Sequence, residues 1–140
     1  MTTIDAPTPA RPGGRATRAE WCGRVLSGLF VLFMAMDIAL KLADLPVVDE
    51  TMAQLGWPAG SGRLIGVVEL VAVALYLFPR TATLGAVTMT AVLGGAVATH
   101  LRVGSPLFSH VLFGVYLGLV MWGGLWLRDA RLRTVLPWRA

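Results

Sequence analysis

The chain has 140 residues, of which 56% are hydrophobic and only 14% charged, with a net charge of +4 and a mean hydropathy of +0.69. A soluble domain carries about 25% charged residues, so lipid must solvate most of this surface, and the length suits a single domain. The twelve basic residues flank apolar stretches and do not build a basic face, which argues against nucleic acid as a partner and reads them as membrane-orientation signals.

Residues 1–19 include Pro7, Pro9, Pro12, Gly13 and Gly14 and nothing apolar enough to bury, so they read as a disordered basic tail. A cleaved signal peptide is not expected, because Asp37 and Lys41 stand where a small-residue cleavage site would be. Residues 20–133 are expected to form the membrane domain and 134–140 a short C-terminal tail. Four apolar spans are predicted within that domain: Trp21 to Ala43, Gly62 to Phe78, Thr81 to Leu101 and Leu107 to Leu127. A hydrocarbon core of ~30 Å takes about 20 helical residues, so three spans suffice and the second is slightly short. Pro79 and Pro106 fall where helices should break or begin. Between the first two spans, Val47, Val48, Met52 and Leu55 recur at helical spacing up to the Gly56-Trp57-Pro58 breaker, predicting a short helix on the membrane surface. The fold expected is therefore all-α, an integral membrane four-helix bundle. Small residues four apart (Gly62/Gly66, Gly114/Gly118, Gly23/Ser27 and Ala35/Ala39) are the candidate helix contacts.

Basic-residue counting orients the spans. Nine of the twelve lie on one side, before the first span, in the second loop and after the fourth; only Lys41, Arg63 and Arg102 lie on the other. Both termini are therefore predicted to be cytoplasmic, with the acidic first loop outside. The single cysteine, Cys22, excludes an intramolecular disulfide or a CxxC redox pair.

With this orientation the ionisable residues of the spans share one leaflet. Asp37 and Lys41 lie in the outer half of the first helix, spaced i, i+4 for an ion pair; the alternative is that Lys41 snorkels outward. Glu69 is the deepest. A carboxylate near the bilayer centre costs a few kcal/mol unless it finds a partner, a proton or water. Its own helix offers no base within a turn, so Lys41, His100 or Arg102 must supply one, or it stays protonated and acts as donor or proton carrier. A carboxyl that only staples helices together is the bland alternative. His100 ends the third helix and His110 begins the fourth, at the same pocket mouth. Their spacing matches no recognised metal site, so no metal is expected.

The segments Gly56-Trp57-Pro58, Ile65-Gly66-Val67-Val68-Glu69-Leu70, Phe78-Pro79 and Gly95-Ala96-Val97-Ala98-Thr99-His100, followed by Gly104, make the chain resemble the DoxX-like membrane protein family over about Val25 to Arg133. The resemblance implies a four-helix inner-membrane bundle. It also implies a link to membrane redox complexes, since the family is named for a subunit of a thiosulfate-to-quinone oxidoreductase. Lys41, Glu69, Thr99 and His100 match the family pattern and coincide with the cluster found from membrane depth.

The leading expectation is a subunit or accessory of a membrane redox system whose outer-leaflet pocket binds a lipid-soluble molecule, with a quinone first among them. Glu69 and His100 would transfer protons, and Asp37, Lys41, Thr99 and His110 would bind the ligand. The chain has no intrinsic cofactor in this reading, so the lipid bilayer, redox partner proteins and further copies of itself are its expected partners. Three alternatives stand beside it: a non-redox enzyme using the carboxyl and imidazole as acid and base, a transporter, and a structural or assembly protein without a ligand. Against transport, the polar residues stop in the outer half of the helices.

Overall fold

Thr17 and Glu20 set the start of the first helix. The Thr17 hydroxyl accepts from the Glu20 amide at 3.3 Å and the Glu20 carboxylate accepts from the Thr17 amide at 3.1 Å. Two otherwise unpaired amides are satisfied together. Helix α1 consequently begins at Arg18, before the expected Trp21, and runs to Leu42. The computed structural model describes residues 16–135, so most of the N-terminal tail and residues 136–140 of the C-terminal one lie outside the described residues. Helices α2 (Pro46–Gln54), α3 (Ser61–Leu77), α4 (Ala82–Arg102), α5 (Phe113–Arg128) and α6 (Ala130–Val135) follow, with a π-helical turn at Leu107–Val111 leading into α5. All regular structure among the described residues is helical.

Three stretches are long and apolar enough to cross a membrane: Arg18–Leu42, Ala82–Arg102 and Leu107–Arg128. Helix α3 is as apolar but has 17 residues, about 26 Å at ~1.5 Å each, short of a ~30 Å core. Outward-facing Leu29, Leu32, Leu64, Leu84 and Leu119 are well exposed. Such an apolar exterior on helices of this length marks a multi-pass membrane protein.

Each long helix buries one stripe. On α1 it is Gly23, Ser27, Phe30, Met34 and Ile38; on α3 it is Gly62, Gly66, Glu69, Ala72, Val73 and Tyr76. These residues recur three or four apart, which is one face of a helix. Helix α1 packs on α3 and α5, and α4 packs on the same two. Two contacts are backbone-close. A Cβ at Gly66 would lie 2.9 Å from the Lys41 Cβ, so α3 meets α1 at the level of Lys41. At Gly85 it would lie 2.3 Å from the Tyr76 amide nitrogen, which brings α4 against α3. Of the expected small-residue pairs, Gly62, Gly66, Gly23, Ser27 and Gly114 are buried in helix contacts. Ala35 and Ala39 are exposed and take no part, because they lie on the outward face of α1.

Candidate functional site

Lys41 sits one residue before the end of α1, and its stem crosses to α3 where Gly66 leaves room for it. Its Nζ donates to Asp37 Oδ2 at 2.6 Å and to both oxygens of Glu69, at 2.6 Å and 2.8 Å. Lys41 does not snorkel outward: its side chain is 13% exposed, against 5% for Glu69 and 32% for Asp37. The three form a graded chain from interior to rim. Glu69 lies eight residues into α3, about 12 Å along the axis from Ser61. Two carboxylates around one ammonium hold one uncompensated negative charge, which a single proton neutralises.

The outer two members of this chain, Asp37 and Lys41, face a cavity of about 450 Å³ bounded by α1, α2, α3 and α4. Asp37 and Lys41 line it from α1, Ile65 and Val68 from α3, and Val92, Gly95, Ala96, Thr99 and His100 from α4. Its roof is α2 and the loop after it, through Thr51, Met52, Leu55 and Trp57. Leu64 and Val68 on the rim are exposed on the apolar side of α3. The lining is mostly apolar, with the polar groups gathered at the α1 and α4 edges, which is the character of a site for a largely hydrophobic small molecule.

Four of the six expected site residues, Asp37, Lys41, Thr99 and His100, thus share one cavity. Glu69 is one group further back and reaches it through Lys41. His110 is outside the lining and exposed, because the π-helical turn places it behind His100, the two rings meeting edge to face with centroids 5.6 Å apart. His100 Nδ1 pairs with Ser105 Oγ at 3.0 Å, and His110 Nδ1 with Ser109 Oγ at 2.8 Å. Arg102 donates to the Leu55 carbonyl at 2.7 Å, tying α4 to the end of the roof. Arg63 pairs with Asp44 at 2.5 Å and fastens the start of α3 to the end of α1. Among the described residues, no group of three metal-ligating side chains comes together.

Sequence reasoning did not single out a second polar centre. The Tyr76 hydroxyl lies 2.9 Å from Ser27 Oγ and donates to the Met121 carbonyl at 2.9 Å, joining α3, α1 and α5 in the interior. Arg128 lies over the Tyr76 ring at 4.7 Å and donates to its carbonyl at 3.0 Å. A lone tyrosine inside an apolar span was the available signal, since a buried hydroxyl needs a partner.

A sequence model of the DoxX-like family matches residues 25–124, which takes in every residue lining the cavity. No curated protein and no solved structure matches the chain.

Proposed function

Because the chain belongs to the DoxX-like family, we propose that it is a small inner-membrane protein spanning the bilayer four times, both termini cytoplasmic, that holds a quinone-like molecule for a membrane redox system. The observation that carries this reading is the Lys41 ammonium, bridged between Asp37 and Glu69 and set in the wall of a mostly apolar cavity. A short α3 with polar residues near its outer end suits a locally thinned or water-penetrated outer leaflet.

Reducing a quinone to a quinol takes two electrons and two protons. A redox partner supplies the electrons, and this chain supplies binding and protons. The ring and tail of the ligand occupy the apolar part between Ile65, Val68, Val92 and Ala96. At the α4 edge the Thr99 hydroxyl and, with Nδ1 accepting from the Ser105 hydroxyl, the second nitrogen of His100 would donate to a carbonyl oxygen. At the α1 edge the Asp37–Lys41–Glu69 chain gives or takes a proton, with Glu69 balancing the charge from behind. The exposed rim at Leu64 and Val68 lets a lipid-soluble molecule enter sideways from the bilayer.

Trp57 gives a direct test, as it lines the cavity while Trp21, Trp122 and Trp126 lie at the other ends of their helices. In nanodiscs, titration with a short-tailed ubiquinone is expected to quench part of the fluorescence saturably in the wild type and not in Trp57→Phe. A strictly linear, non-saturating quench in both would remove the ligand and leave a scaffold.

A further inference from the structure

The opposite end of the molecule holds a second cavity of about 450 Å³, and its walls have a different chemistry. Arg24 comes from α1, Arg80 from the α3–α4 turn, Arg128 from the end of α5 and Arg131 from α6. Asp129 is the one carboxylate among them, and it accepts from the Arg131 amide at 2.9 Å. Arg24, Arg80 and Arg131 form no ion pair among the described residues. Arg128 is partly buried, and its Nε is enclosed with no hydrogen-bond partner.

Basic residues that only orient a membrane protein point separately into water. Here three stretches far apart in sequence, around Arg24, Arg80 and Arg128 to Arg131, bring guanidiniums to one concave site, where they repel one another. A bound anion would offset that repulsion, while Arg128 is held in place by its bond to the Tyr76 carbonyl and its stacking on the Tyr76 ring. We propose that this cavity binds a phosphate group, with the phosphodiester of an anionic phospholipid headgroup and free inorganic phosphate as its two sources. Planar guanidinium forks match phosphate oxygens, and basic clefts between helix ends are suited to anionic headgroups. The floor of Pro79, Ala82 and Leu125 and the adjoining exposed Leu77 and Phe78 offer an apolar seat for acyl chains, which free phosphate would not use. The site is about 25 Å along α1 from Lys41 and stands whether or not the first cavity holds a quinone.

The full chain, purified and placed in nanodiscs of phosphatidylcholine with and without phosphatidylglycerol, tests the assignment by native mass spectrometry and thermal shift. Retention of phosphatidylglycerol over phosphatidylcholine supports it and identifies the lipid source. A thermal shift with inorganic phosphate in pure phosphatidylcholine supports it and identifies the free anion. The absence of both effects would overturn it. Arg24→Gln with Arg131→Gln, both exposed and outside the interior network, is expected to weaken selective retention roughly 25-fold, at about fivefold per arginine. The charge-matched pair Arg18→Gln with Arg133→Gln, outside the lining, is expected to leave it unchanged. An equal loss in both pairs would mean a diffuse surface effect and would overturn the site.

Discussion

Replacing Lys41 with methionine keeps most of the side-chain volume and removes the ammonium on which both carboxylates converge. Unit charges at about 4 Å attract by about 4 kcal/mol at an effective dielectric near 20. Deleting one partner of a buried pair costs about 3–5 kcal/mol, because the remaining charge is left without compensation. With contacts of 2.6 and 2.8 Å and a Glu69 side chain only 5% exposed, Lys41→Met falls in that range. Asp37, a third exposed, recovers part of its loss through water. Lys41→Met with Glu69→Gln removes the stranded charge and is expected to restore most of the stability. Reversible unfolding in mixed micelles at pH 8, run as a double-mutant cycle, measures the coupling directly. A coupling above about 2 kcal/mol is expected for a pair of this kind. A value under about 0.5 kcal/mol would show that water, and not the ammonium, compensates Glu69, and the charge chain would lose its role.

Four further outcomes follow from the packing. Gly95 lines the cavity with nothing within 4 Å of an added Cβ, so Gly95→Leu should fill the site and abolish ubiquinone quenching of Trp57 while the unfolding temperature stays within about 2 °C, as a change below ~0.5 kcal/mol implies. Gly85→Ala drives a Cβ into the Tyr76 backbone and should cost about 3 kcal/mol, the upper range of overpacking, whereas Gly94→Ala, into open space, should cost nothing measurable by thermal unfolding. Tyr76→Phe removes the hydroxyl shared by Ser27 and the Met121 carbonyl and should destabilise by about 1–3 kcal/mol in denaturant unfolding. Thr17→Ala takes away the cap of α1 and should cost about 1 kcal/mol, seen as faster amide exchange over the first turn.

Much of this was legible in the order of residues. The apolar spans, the surface helix after α1 and the Asp37–Lys41 pair follow from period and spacing alone, because each depends on neighbours a few residues apart. The partner of Glu69 did not follow. Three bases lay near the same depth, and the choice of Lys41 was made by Gly66, whose missing side chain lets α1 close on α3. Arg102 was drawn instead to a backbone carbonyl at Leu55. His110 was expected beside His100 in the pocket and lies behind it, since a π-helical turn after Pro106 rotates the start of the last span. The roof formed by α2 was foreseen as a surface helix but not as a wall of the site. Gly85, where an added Cβ would meet the Tyr76 backbone, belongs to none of the expected small-residue pairs, so its importance rests on an interhelical distance that sequence spacing does not encode.

The proposed quinone site is tested most directly by photolabelling. A photoreactive ubiquinone analogue, irradiated with the wild-type protein in nanodiscs and mapped by peptide mass spectrometry, should mark Met52, Val68 and Ala96 around the cavity. Excess unlabelled ubiquinone should compete the labels away, and Gly95→Leu should prevent them. Labels confined to the lipid-facing leucines, or insensitive to competitor, would contradict a quinone site between α2, α3 and α4.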